Sequence, residues 1–396
     1  MTGEMGLDPR LDAHARVDLA ALRRNAAGLA RVAGTLLIAP VKADAYGHGA
    51  RPVSAVLDEM GVAGLAVATA AEALDLAKTH PRAPILLLTP PAPAALSILV
   101  RAGVHFTVSS EAQLAVVEAE AARAGERVAV HLKLNTGLNR LGARDDEAAR
   151  ILARLGASSH ARLVGVFTHF IDSEESQPEF AGRQLERFAA FLRRHHPDAE
   201  LIHVANTGGV LNPVLRAAAA ALGVTAARPG IGLYGYLPGP DMAEPARAAG
   251  LELTPVMTLV TRVTFVKRVA AGEVASYGGV WRATAPTWLA TLRLGYADGY
   301  PRALSGKASV LWRGRPRPLV GRVCMDQVIM DSGDEPAEPE EEVTVFGPGP
   351  ITAETLANLA GTNSYEILTG IGARVPRVTA EGDATTDNRG AALTAG

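Results

Sequence analysis

The sequence predicts an α/β protein, an N-terminal (β/α)8 TIM barrel followed by a mostly β C-terminal domain, and three observations carry that prediction. At 396 residues the chain is longer than one domain usually runs, so two cores are expected. From about residue 36 to residue 238, apolar runs of strand length alternate with alanine-rich segments whose charges recur at helical spacing. After about residue 245 the texture changes to β-branched and aromatic runs separated by Gly, Pro and Asp turns. The expected division is a barrel domain over 1–244, a β domain over 245–380 and a disordered tail over 381–396, because EGDATTDNRGAALTAG has too little apolar content to pack.

The expected barrel strands are, in order, TLLIAPVK, GLAVAT, PILLLT, HFTVSS, VAVHLKLNT, LVGVFTHF, LIHVAN and a final short run through RPGIGLYG. Strands alternating with helices imply a parallel sheet, and eight such units in about 200 residues match a TIM barrel. Lys42, Asn135, His169, Asn206 and Arg228 stand at the ends of these runs, where a barrel carries its chemistry. An open doubly wound sheet also fits the alternation, but its crevice would draw on fewer strand ends. In the second half, VMTLVTRVTFVKRV, TWLATLRLGY, SVLWRG, QVIMDS and EVTVFG read as strands. One helix opens near Thr352, with Glu354 in its first turn and Leu356, Leu359 and Ala360 on one face.

Composition narrows the function classes. Lysine and arginine number 39 against 41 acidic residues, a balance that carries no footprint of nucleic-acid binding. The lone Cys324 excludes an intrachain disulfide framework and agrees with a reducing, cytoplasmic setting. The start MTGEMGLDPRLDAHARVD lacks the basic and apolar pattern of a secretory signal, and the longest apolar runs are broken by proline or short, so neither export nor membrane insertion is expected.

Lys42 precedes ADAYGHG, a glycine-bearing loop able to approach a ligand, and partial burial in a barrel mouth would help its amine lose a proton. By position alone the commoner reading is a strand-end lysine reaching solvent. Arg228 lies beside a glycine-flanked turn whose N–H groups suit a phosphate, although such turns are common. His169 alone reads more often as a satisfied core residue, and Tyr277 in ASYGG as a structural tyrosine before a turn. No zinc-type cluster, nucleophile elbow or phosphate-binding Walker loop occurs.

Taken together, VKADAYGHG, KLNTGLNRLG, FTHF, ANT, RPGIGLYG, SYGGVW, GYADGYPR, GRVCMDQ and NSYEILTGI follow one another in an order that resembles the alanine racemases. These are amino-acid racemases that depend on pyridoxal 5′-phosphate (PLP), and the likeness spans residues of about 15 to 378. The resemblance implies a homodimer with shared active sites, in which Lys42 binds the cofactor and acts as one acid/base while the partner subunit's Tyr277 is the other. It places Tyr46, Asn206, Thr207, Gly230, Ile231 and Tyr365 around the cofactor, largely at its phosphate, and sets Arg228 at the pyridine nitrogen with His169 linking Arg228 to Tyr277. Arg140 and the Met325 N–H would hold the substrate carboxylate, Lys133 matches a lysine often carbamylated, and Tyr296 and Arg302 would line the entrance. Asn139 and Thr207 depart from the commoner family residues, Thr207 keeping the hydroxyl of a serine. The resemblance further implies L- to D-alanine interconversion, supplying D-alanine for cell-wall peptidoglycan. A PLP decarboxylase of the same architecture would want an acidic partner for the pyridine where this chain has Arg228, and a single-barrel PLP carrier would not need the second domain.

Overall fold

The computed structural model describes Asp8 and residues 10–380, so the tail expected at 381–396 lies outside the described residues. These residues form two compact units. One takes Leu22–Ala45 and Ala50–Leu253; the other takes the chain through Ala21, the short piece Tyr46–Gly49 and the chain from Thr254.

The first unit is the expected barrel. After strand β1 (His14–Asp18), which belongs to the other unit, strands β2 (Leu36–Pro40), β3 (Gly64–Val67), β4 (Ile85–Leu87), β5 (His105–Val108), β6 (Val128–Lys133), β7 (Ala161–Phe167), β8 (Leu201–His203) and β9 (Ala226–Ala227) close in sequence order. All neighbours are parallel, and β2 pairs with β9 through Leu36↔Ala226 and Leu37↔Ala227 to complete the ring. Strands buried on both faces need unbroken apolar runs, and β3 and β4 are buried throughout. The intervening helices start where side chains can cap them: Thr69 and Glu72 form a capping box for Ala70–Ala77, and Ser110 caps Glu111–Ala124, which ends on the left-handed Gly125.

One strand differs from expectation. The eighth is Ala226–Ala227, two residues before RPGIGLYG, and that segment instead enters a 3-10 turn, Ile231–Tyr234. Its proline lacks a donor and its glycines favour a turn, so the ladder stops at Ala227.

The second unit is mostly β. Strands β10 (Met257–Val269), β11 (Val274–Ala275), β12 (Trp281–Arg282), β13 (Thr287–Leu292), β14 (Ser309–Trp312), β15 (Arg315–Val320), β16 (Val328–Gly333), β17 (Glu342–Phe346) and β18 (Arg377–Ala380) follow. The main sheet runs β13-β16-β15-β14-β17-β10-β1-β18, and β10 also pairs with β13 by bending at the bulge between Val263 and Phe265. The expected boundary at residue 244 is not where the units divide, because β1 runs antiparallel to β10 and parallel to β18. Without β1 the start of β10 would be an open edge, so the N-terminal segment is spent covering it. Two helices stand where one was expected: Ala353–Ala360, capped by Thr352, and Ser364–Gly370, capped by Asn363. Leu356 is buried as expected, whereas Leu359 is 37% exposed.

Candidate active site

The barrel brings polar side chains to the ends of six of its strands. Lys42 follows β2 and heads a short helical turn, Lys42–Gly47. Burial pushes the Lys42 amine below the usual lysine range, the Arg140 charge pushes the same way, and Glu72 opposes both. Glu72 also holds the backbone: its carboxylate accepts from Ala43 N at 2.6 Å, Ala68 N at 2.9 Å and Thr69 N at 3.0 Å.

Lys133, the last residue of β6, is buried and lies with its ammonium 5.5 Å from the Phe167 ring centre. Burial, then Arg228, Arg140 and Lys42, bring its pKa down to about 8. Arg140 sits in the exposed loop after β6 and makes no hydrogen bond or ion pair among the described residues. Arg228 is buried beyond β9, its Nη1 2.6 Å from His203 Nδ1 and its Nη2 donating to Thr168 O at 2.7 Å and Val204 O at 3.2 Å. Burial lowers it to about 9, which leaves the guanidinium charged at neutral pH. Lys133, Arg140 and Arg228 form no ion pair among the described residues. His169 lies beyond β7 and is held neutral by burial and by Arg228. Its ring makes no hydrogen bond among the described residues, so the expected link to Arg228 is not made by the ring; Arg228 reaches the neighbouring Thr168 carbonyl instead.

Beside Arg228 the backbone forms a close-packed cradle. Asn206 caps Thr207–Leu211, accepting from Gly209 N at 2.9 Å and from the Ser173 hydroxyl at 2.6 Å. Thr207 Oγ1 accepts from Gly232 N at 3.2 Å, and a Cβ on Gly232 would come within 2.9 Å of Thr207 Cγ2. The N–H groups of Gly230 and Ile231 are buried there without an acceptor among the described residues. Tyr234 ties the turn back to β2 by donating to Pro40 O at 2.9 Å.

The second unit presents its own group. Tyr277 stands on a turn opened by Ser276 in the left-handed region, φ 63°, and is 70% exposed. Ser276 Oγ anchors that turn by donating to Arg322 O at 2.7 Å. Ser276, Tyr277, Cys324, Met325, Asp326 and Gln327 line one open cavity of about 540 Å³. The Met325 N–H has no acceptor among the described residues, while its carbonyl accepts from Ala297 N at 3.0 Å. Tyr296 joins the same wall, its N–H donating to Cys324 O at 3.0 Å, and Arg302 lies exposed a turn further on. Tyr46 and Tyr365 pair with ring centres 6.1 Å apart, and burial raises the Tyr46 phenol to about 12. Tyr46 thus groups with Tyr365 rather than with Lys42, four residues before it.

Two participants escaped sequence reasoning. His203 was read only as part of the strand LIHVAN, and its signal was an inward-facing polar residue in an apolar strand. Arg322, in GRVCMDQ, packs its guanidinium under Gly278, where a Cβ would lie 3.3 Å from Arg322 Cζ.

Residues 17–238 match the family described as alanine racemase, N-terminal domain, and residues 256–379 match alanine racemase, C-terminal domain. The alanine racemase of Deinococcus deserti is 44% identical over 371 residues, covering 92% of this chain and 98% of that protein. That of Deinococcus radiodurans is 42% identical over 370 residues, with 93% and 99% covered. Among solved structures, alanine racemase from Streptomyces coelicolor A3(2) superposes with a TM-score of 0.86 at 36% identity, covering 94% of this chain and 99% of that one. The Bacillus anthracis alanine racemase with bound L-Ala-P gives a TM-score of 0.82 at 30% identity, over 95% and 97%. The two family matches, which together span the barrel and the β unit, define an amino-acid racemase, an isomerase. The chain belongs to the alanine racemase family, and its reaction is the interconversion of L- and D-alanine.

Proposed function

We propose that the chain racemises alanine by a two-base mechanism with pyridoxal 5′-phosphate carried on Lys42. The observation that carries this reading is the charge of the barrel mouth: Lys133, Arg140 and Arg228 gather near Lys42 with no ion pair among the described residues, beside the N–H groups of Gly230 and Ile231, which lack an acceptor among the same residues. Such a donor set fits a phosphate and a substrate carboxylate, and Thr207, Gly230 and Ile231 would hold the phosphate. Family likeness assigns Asn206, Tyr46 and Tyr365 to the same cofactor. When bound, the cofactor supplies the electron sink that makes the substrate α-hydrogen acidic.

The protein's own groups do the rest. Burial and the Arg140 charge lower the Lys42 Nζ pKa, which favours the neutral amine that a base on one face of the α-carbon must offer. Tyr277 Oη, exposed on its turn, serves the opposite face. Arg228 would face the pyridine nitrogen of the bound cofactor and, because a guanidinium keeps its proton, would restrain the sink and disfavour transamination. Arg140 and the Met325 N–H orient the substrate carboxylate, and Tyr296 and Arg302 narrow the approach to small side chains. Lys133, at about 8, is neutral often enough to react with carbon dioxide, and the carbamate formed would be an anion that orients Arg140. We also infer a cytoplasmic homodimer in which Lys42 works with the partner subunit's Tyr277. Among the described residues no helix is long and apolar enough to cross a membrane. Supplying D-alanine for peptidoglycan is the usual role of the family.

Subunit complementation tests the shared site. Lys42→Ala and Tyr277→Phe homodimers are each expected to be nearly inactive. In a heterodimer one site carries both lesions and the other neither. Random exchange makes about half the dimers mixed, so activity is expected to return to about a quarter of the wild-type value. No recovery after exchange verified with two tags would place lysine and tyrosine in one chain and refute the arrangement.

A further inference from the structure

Three histidines lie in file inside the barrel. Arg228 Nη1 is 2.6 Å from His203 Nδ1. His203 Nε2 is 3.0 Å from His131 Nδ1, and His131 Nε2 is 3.2 Å from His105 Nδ1. The file runs from Arg228, at the C-terminal ends of the strands, through β8 and β6 to the first residue of β5. His203 and His131 are fully buried, and His105, half-buried, ends it.

The chemistry of the first member dictates the rest. A guanidinium only donates, so His203 Nδ1 must accept. A neutral imidazole has one donor and one acceptor, so His203 carries its proton on Nε2 and donates to His131 Nδ1. The same step repeats at His131 and leaves His105 with Nδ1 accepting and Nε2 protonated. Protonating any ring would set two donors face to face beside Arg228. Burial and the neighbouring charges disfavour that, holding His203 and His131 far below the usual histidine range and His105 at about 4.

The surroundings are cut to fit this file. A Cβ at Gly165 on β7 would overlap His131 Nδ1 and lie 3.0 Å from His203 Nε2, so only glycine leaves room for the junction. Phe167 stacks on His203 with ring centres 4.6 Å apart and planes 11° from parallel, which fixes the imidazole plane. Arg228, for its part, has no carboxylate partner among the described residues; its acceptors there are two carbonyls and one ring nitrogen.

We propose that His203, His131 and His105 form a one-way hydrogen-bonded file, each ring neutral and protonated on Nε2, whose aligned dipoles take the place of a carboxylate in holding Arg228 charged and in position. His131 and His105 are then positioning residues that act on Arg228 through His203. The catalytic consequence rests on the reading of Arg228 as the cofactor's partner; the proton positions do not.

The test is nitrogen NMR of the full-length, PLP-loaded protein with labelled histidine, which reads protonation at each ring nitrogen. The three rings are expected to be neutral with protons on Nε2. In His131→Phe the donor to His105 Nδ1 is gone while Arg228 still fixes His203 on Nε2, so His105 is expected to populate both tautomers, and kcat to fall about fivefold with KM little changed because His203 loses its acceptor. His131→Gln can accept from His203 and donate to His105, so it is expected to restore both the tautomer and the rate. Should the central variant fail to fold, His105→Phe at the half-buried end leaves the direction set at Arg228, so His203 and His131 are expected to stay protonated on Nε2. A proton on Nδ1 or a charged ring in the wild type would overturn the file, as would an unchanged His105 in His131→Phe or a His131 proton on Nδ1 in His105→Phe. A shifted His105 tautomer in His131→Phe with unaltered kcat would support the file and refute Arg228 as the cofactor's partner.

Discussion

Replacing Gln184 by leucine tests how the catalytic loops are held. Gln184 lies on the helix Glu179–His195, is 2% exposed, and reaches two strand ends at once. Its Nε2 donates to His169 O at 2.8 Å and to Thr136 Oγ1 at 3.3 Å, and its Oε1 accepts from Ile171 N at 2.9 Å. Leucine is of similar size and equally at home in a helix, so the change isolates the hydrogen bonds. Thr136 keeps its 2.7 Å bond to Thr168, which leaves two groups orphaned, His169 O and Ile171 N. Each orphan costs about 1–3 kcal/mol when buried. Ile171 is 45% exposed, so water can reach its N–H and the total should settle near 3 kcal/mol. Denaturant unfolding monitored through the barrel should show that loss, and kcat should fall because the His169 and Thr136 segments are no longer clamped. Gln184→Glu sharpens the test: an ionised carboxylate facing His169 O repels it, whereas a protonated one donates as glutamine does. That variant should therefore recover stability relative to wild type as pH falls. A leucine variant within 0.5 kcal/mol of wild type, or a glutamate variant whose deficit grows on acidification, would refute the clamp.

Two further outcomes follow from the same geometry. With Lys133 at about 8, about half its amine is neutral at pH 8 and about a hundredth at pH 6, so labelled bicarbonate should be incorporated there more at the higher pH, and Lys133→Met should abolish the label and raise KM; label on another lysine, or an unchanged KM, would count against the carbamate. Ala43→Gly should leave stability unchanged or raise it by up to about 1 kcal/mol, because Ala43 has a φ of 52° and is exposed, whereas the same change in a right-handed helix costs about 1 kcal/mol; a loss of that size in thermal unfolding would contradict the left-handed turn.

The barrel was legible because its strands are buried on both faces and must be apolar without interruption, while the helices between them need an apolar stripe only. The strand ends were legible for a related reason: Lys42, His169 and Arg228 are polar residues at the edge of apolar runs, where nothing in a core would call for them. What stayed hidden depended on pairing across long separations. That β1 joins β10, some 240 residues later in the chain, has no local signal, since HARVD reads as well for a loop. The handedness of Lys42–Gly47 was equally hidden, because Ala43, Asp44, Ala45 and Tyr46 all take φ of 52° to 54° and only a glycine would have announced it. That strain, about 1–2 kcal/mol per residue, persists because Glu72 holds Ala43 N and Asp44 accepts from Ala50 N at 2.7 Å. Arg228 was visible as a candidate, but its dependence on His203 was not, since a histidine in a strand does not show which way its ring faces.

The charge at the barrel mouth links catalysis to stability. Lys133, Arg140 and Arg228, with no ion pair among the described residues, repel one another and Lys42, and burial adds to the cost of the protons on Lys42, Lys133 and Arg228. Lys133 shows the sign. Its folded pKa of about 8 lies below the ordinary 10.5, so the folded barrel binds that proton less well than the unfolded chain does. The cost is fully present below about 8, where the folded state must hold the charged amine, and it fades as pH rises from 8 towards 10.5. Anions relieve the same cost at neutral pH. A phosphate at the Gly230 and Ile231 amides, a carboxylate at Arg140 and a carbamate on Lys133 would each bind the folded state alone, and each stabilises it in proportion to its occupancy. A mouth built from carboxylate-paired cations would be more stable empty and would bind these groups less well. On the proposed reading, the surplus of positive charge would be the physical cause of affinity for three anions at once, and the neutral histidine file beneath Arg228 would keep that surplus intact.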